Sequence, residues 1–155
     1  MSTLHRDDFV SWTREQAESL RRARDAGSNL PLDWTHLIEE VEALGASERR
    51  ELRSHLTRII EHLAKLRHSP ARLPRRGWMR TVQRHRDATE QLLADSSSLR
   101  GELPELIAAA WRSARRDAAR GLERHLEQAS LPERCPFEVV QTLDPDWFPE
   151  PPAAR

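Results

Sequence analysis

Residues 32–70 read LDWTHLIEEVEALGASERRELRSHLTRIIEHLAKLRHSP, and this stretch decides the fold. Asp33 is a suitable helix N-cap, because its carboxylate accepts from free amides of the following turn. Leu32 and Leu37 flank it at the spacing of a hydrophobic staple. Leu37, Ile38, Val41 and Leu44 share one helical face. Gly45 favours the left-handed backbone that closes a helix. Ser47 then caps a second helix, with Glu48 in its first turn. Leu52, Leu56, Ile59, Ile60, Leu63 and Leu66 form the longest apolar stripe in the chain, ended by Ser69-Pro70, since proline disfavours helix at the preceding residue. The expectation is two helices meeting at a tight corner, with the second at the centre of the molecule.

The rest of the 155-residue chain supplies helices to pack on that stripe. Asp7 or Asp8 caps a first helix to about Ala26, whose inner side is expected to carry Phe9, Trp12, Gln16, Leu20 and Ala23. Residues 67–77 read as a loop. A further helix runs from about Trp78 to Ala94 with Trp78, Met79, Val82, Thr89, Leu92 and Leu93 inward. Leu99–Leu103 suggests one turn. Pro104 opens the last long helix, which carries Ile107, Trp111, Ala114, Ala118, Leu122 and Leu126 on one face and ends near Gln128–Ser130. Pro136–Leu143 suggests a short helix, and Trp147 and Phe148 are expected to dock. The reading is an all-α, single-domain bundle of about five helices over 7–149, with a short Pro-rich C-terminal tail docked on it and flexible termini at 1–6 and 150–155.

Composition narrows the function classes. The 25 basic and 25 acidic residues cancel, so no global field argues for nucleic acid or membrane. One cysteine, Cys135, allows no intrachain disulfide. No apolar run spans a bilayer, and the N-terminus lacks a signal-peptide pattern, which together read as cytoplasmic. There is no glycine-rich phosphate loop, CxxC pair, HExxH or GxSxG.

Several segments, taken jointly and in order, resemble the bacterial family called domain of unknown function 29. They are Asp8-Phe9-Val10-Ser11-Trp12, residues Leu37 to Gly45, Ser47-Glu48-Arg49-Arg50, Leu52-Arg53-Ser54-His55-Leu56 and His62-Leu63-Ala64-Lys65. Trp78, Ser96 to Leu99, Cys135-Pro136-Phe137 and Asp144-Pro145-Asp146 complete the set. The resemblance implies a helical fold and brings no activity with it. Val10 stands where the family often has Tyr, and His85 where a Gln is expected before Arg86.

Four groups of residues are candidates for chemistry. His55 and His62, seven apart, flank the apolar stripe, as Glu40 and Glu42 flank the preceding helix. Together they could hold a divalent metal, or simply hydrogen-bond at the edge of a core. Lys65, Arg67, Arg72, Arg75, Arg76, Arg80, Arg84 and Arg86 carry eight positive charges with no acid between them. Arg72, Arg75, Arg76, Arg80 and Arg84 could grip phosphates while Trp78 stacks on a base, or the segment could neutralise the acids of the preceding stretch. Arg86 falls on the apolar side of its helix and needs a carboxylate there, with Glu40 or Glu42 the natural partner; Arg49 is a second buried ion-pair candidate. His125 reads as a core histidine, and Cys135 as a small buried residue.

The leading functional reading is a non-enzymatic helical module that binds another protein or itself, plausibly as a homodimer, with no cofactor and no catalytic residues. The alternatives are a nucleic-acid or phosphate binder on 65–86 and a metal-binding bundle on His55, His62, Glu40 and Glu42.

Overall fold

The computed structural model describes residues 3–124 and 130–153. Among these the chain is all-α: α1 (Leu4–Asp7), α2 (Phe9–Asp25), α3 (Trp34–His68), α4 (Arg75–Asp95), a 3-10 segment (Ser97–Glu102), α5 (Leu103–Arg124) and α6 (Val139–Leu143). His125, Leu126 and the end expected for the last long helix lie outside the described residues.

The expected corner at Gly45 does not exist. α3 is one helix of 35 residues, and neither Gly45 nor Ser47 interrupts it. Gly45 is buried for a different reason. A Cβ there would sit 2.7 Å from the Oγ1 of Thr13, whose hydroxyl donates to the Val10 carbonyl. The glycine therefore permits close approach of α2, which outweighs the loss of about 1 kcal/mol that glycine brings to a helix interior. Asp33 does accept from the His36 amide at the start of α3.

The backbone divides into two compact units. One comprises Met1–Glu51 and Gln91–Gly101. Its organiser is Asp8, the N-cap of α2, which is only 9% exposed. Its carboxylate accepts from the Ser11 amide and hydroxyl and from the Ser98 amide and hydroxyl. Val10 N–H donates to Ser96 Oγ, which ties the start of α2 to the segment after α4. Burial alone would raise the Asp8 pKa, but these four bonds outweigh it and hold the carboxyl below its usual range. The inner face of α2 is Val10, Thr13 and Ala17. The expected face is rotated outward: Phe9, Trp12, Gln16, Leu20 and Ala23 are half-buried. Phe9 and Trp12 stack on each other, and His5 of α1 meets both rings edge-on. The chain is thus helical from Leu4, earlier than its sequence suggests.

The other unit comprises Leu52–Glu90 and Glu102–Arg155. Here the central stripe is as expected: Leu52, Leu56, Ile59, Ile60, Leu63 and Leu66 are each 0% exposed. α4 buries Trp78, Val82, Arg86 and Thr89, and α5 buries Ile107, Trp111, Ala114, Ala118 and Leu122. Past the end of α5, Trp111 Nε1–H donates to the carbonyls of Pro132 and Glu133, and the Arg115 guanidinium to that of Leu131. These bonds secure a segment with no secondary structure of its own.

Candidate functional site

Arg86 is buried, at 4% exposure, but its partner is not a carboxylate. Nε donates to Thr142 O, and the two terminal nitrogens to Gln141 O and Trp147 O, at 2.8–2.9 Å. The ring of Phe148 lies 5.0 Å from the guanidinium carbon. Gln141 and Thr142 belong to the last turn of α6, so the cation meets carbonyls that no further helical amide would satisfy. Burial lowers the Arg86 pKa to about 10, with Asp144 opposing the shift, and the group stays charged at neutral pH. The ion pair expected with Glu40 or Glu42 is absent because the donors are already spent on backbone. Both glutamates are exposed, and Glu42 pairs with Arg21. Arg49 is half-buried and lines a cleft with Thr13, Arg14, Arg21, Glu42 and Gly45.

The histidines do not assemble with those glutamates. His55 Nδ1 lies 2.8 Å from Nδ1 of His85, and His62 Nδ1 donates to the Arg58 carbonyl. Among the described residues no cluster of three or more His, Cys, Asp or Glu is placed to hold a metal ion. Each histidine has instead taken the partner its own helix or α4 offers. A pair of neutral imidazoles shares one Nδ1 proton; protonating both would set two N–H groups against each other. Burial, reinforced by His55, Arg84, Arg58 and His62, brings the His85 pKa down to about 4. Burial also lowers those of His62 and His68.

These shifts fix the sign of a pH effect. Between the unfolded value near 6.5 and about 4, the unfolded chain binds more protons at position 85 than the folded one. Stability therefore falls as pH drops through that window. After discounting for partial exposure, His85 should account for about 1 kcal/mol of the loss between pH 7 and 5. Urea unfolding at both pH values should show the difference shrinking by that amount in His85→Gln. An unchanged difference would remove the histidine pair as its cause.

The basic segment is not one surface. Lys65 donates to Glu61 at 2.7 Å, and Arg67 lies over the Phe137 ring. Arg75 donates to Leu66 O and Pro149 O, and Arg86 is spent as described. Trp78 is buried and offers no face to a base. That leaves Arg72, Arg76, Arg80 and Arg84 exposed. The last three recur every fourth residue and follow one side of α4, a row about 12 Å long. Beside them Leu73 is 97% exposed.

A second surface was hidden by reading Leu37, Val41 and Leu44 as core. Only Ile38 of that group is buried; Leu37 is 37% exposed, Leu44 47%, and Val41 is intermediate. Spaced by four and three residues, they form an unpartnered apolar stripe along α3. By helical position Glu40 and Glu51 border one side, and Glu48 continues the line. Glu48 also lines a cleft with His5, Arg6, Phe9 and Asp95. Burial, with Glu51 and Asp95 adding to it, raises the Glu48 pKa. Leu32, the other residue of the expected staple, is 45% exposed. A signal for the true inner face was present: Ile38, Gly45, Leu52, Ile59 and Leu66 recur every seven residues, straight through the supposed corner.

The profile of the family described as "Domain of unknown function DUF29" matches residues 4–148. The chain belongs to this family. A crystal structure of an alpha-helical protein of unknown function from Rhodospirillum rubrum is similar over 94% of this chain and 92% of that one. The two share 27% identity with a TM-score of 0.76. No curated protein matches the sequence.

Several of the DUF29 motif residues act here as fasteners. Val10 donates to Ser96, and Asp8 accepts from Ser11 and Ser98. Gly45 admits Thr13. Phe137 takes the Arg67 guanidinium, and Asp144 lies near Arg86. Cys135 is half-buried, its thiol pushed up by burial and donating weakly to Phe137 O. At one departure from the family pattern Val10 is buried; at the other His85 pairs with His55. Among the described residues no helix is long and apolar enough to cross a membrane.

Proposed function

We propose that this DUF29 protein is a non-enzymatic helical interaction module working in the cytoplasm, and that its working surface is the acid-bordered Leu37–Val41–Leu44 stripe of α3. The observation carrying this reading is the exposure of Leu37 and Leu44 on one helix face, about a quarter-turn round α3 from the buried side that holds Ile38 and Gly45. An aliphatic stripe with a charged border suits a partner that covers the leucines and meets the carboxylates at the rim. The single cysteine suits a reducing compartment.

A photo-crosslinking side chain placed at position 44 tests this in the host cell. Position 44 should yield a covalent protein adduct, and position 116, exposed on α5, should not. Adduct formation should disappear when Leu37 is changed to Glu in the same chain. No adduct at 44, or equal adducts at 44 and 116, would overturn the reading.

A further inference from the structure

We propose that the occupant of the stripe is a second copy of this chain, contributing its Leu73 tip and the Arg76–Arg80–Arg84 row. The inference rests on the interaction-module reading and deepens it. The two surfaces are complementary in kind. One is aliphatic with a carboxylate border at Glu40, Glu48 and Glu51. The other is a fully exposed leucine beside four exposed arginines, Arg72, Arg76, Arg80 and Arg84.

They also match in length. Glu40 to Glu51 spans about 16 Å of helix, and Arg76 to Arg84 about 12 Å. Guanidinium forks reach carboxylates in bidentate geometry, and Leu73 adds apolar area that a purely electrostatic contact lacks. Burial raises the Glu48 pKa first and the charges of Glu51 and Asp95 add to it; facing cations would relieve that added repulsion.

Self-association uses both surfaces, the stripe of one copy meeting the arginine row of another. A nucleic acid would engage only the arginines. It would leave the stripe and Leu73 in water, and would find no stacking ring, because Trp78 is buried.

Charge exchange tests the proposal. The wild type should show a concentration-dependent rise toward twice the chain mass in sedimentation equilibrium, weakening with salt. Two variants are compared with it, all their changes at exposed or half-buried positions. One is Glu40→Arg/Glu48→Arg/Glu51→Arg; the other is Arg76→Glu/Arg80→Glu/Arg84→Glu. Each alone should self-associate at least about tenfold more weakly, because like charges now face each other. Mixed one to one, they should recover association, since each reversed surface then meets its opposite. Circular dichroism and thermal melting confirm that both are folded.

Three results would overturn the proposal. One is a wild type that stays monomeric at the highest soluble concentration. Another is a mixture no stronger than either variant alone. The third is retention on DNA or RNA that is lost with the arginine row while self-association is unchanged. If the position-44 adduct nevertheless appears at a mass other than twice the chain, the module reading stands and the second copy is the wrong occupant.

Discussion

Replacing Arg86 by methionine should cost about 3–5 kcal/mol of stability. Methionine fills much of the same volume, so the loss is not a packing loss. It removes three donors from the carbonyls of Gln141, Thr142 and Trp147 and withdraws the cation from the Phe148 ring. Those carbonyls then lack the charge-assisted partner that compensated their removal from water. Lysine keeps the charge but offers one nitrogen where three diverging donors are needed. Arg86→Lys should therefore recover less than half of the loss. The two effects separate in amide exchange. Arg86→Met should speed exchange across 139–148 well before it affects Leu56 or Ile59, because the cage ties the tail to α4. Uniform protection across the second unit would show that the tail is fixed by other means.

How far the sequence could be read depends on what each residue meets. The central stripe was legible because six aliphatics at helical spacing admit one inner face. The caps at Asp8 and Asp33 were legible because capping is local: donor and acceptor lie three residues apart. Gly45 was misread because the same residue ends a helix or admits a neighbour. Only Thr13, 32 positions away in the chain, decides which. Arg86 was recognised as buried and in need of a partner. Its partner was misassigned because backbone carbonyls leave no trace in a side-chain pattern. Leu37, Val41 and Leu44 were placed inside because amphipathicity shows that a face is apolar and not whether anything covers it. The basic segment looked continuous in one dimension. In three, half of its charges turn to carbonyls, a ring or a carboxylate, and the remainder form a row. The Glu61–Lys65 pair was missed altogether, since a charged pair four apart usually lies on a solvated face.

That pair carries the second large effect. Glu61 is 3% exposed and Lys65 9%, on a part of α3 where the neighbouring residues are all buried. Lys65 Nζ donates to one carboxylate oxygen at 2.7 Å, and Arg58 to the other at 2.8 Å. Gly121 of α5 leaves the space that the lysine occupies: a Cβ there would collide with Lys65 Cε and Nζ. Lys65→Met should cost about 2–4 kcal/mol, somewhat below the usual cost of breaking a buried pair, because Arg58 still faces the carboxylate. Adding Glu61→Gln should recover much of that loss, since the remaining group no longer needs a counter-charge. Removing both charges should therefore be milder than the sum of the single changes by at least about 1 kcal/mol. Urea unfolding of the two single variants and the double measures this coupling. Additive effects would mean that the lysine stabilises α3 through its aliphatic stem against α5, and that the ion pair contributes nothing of its own.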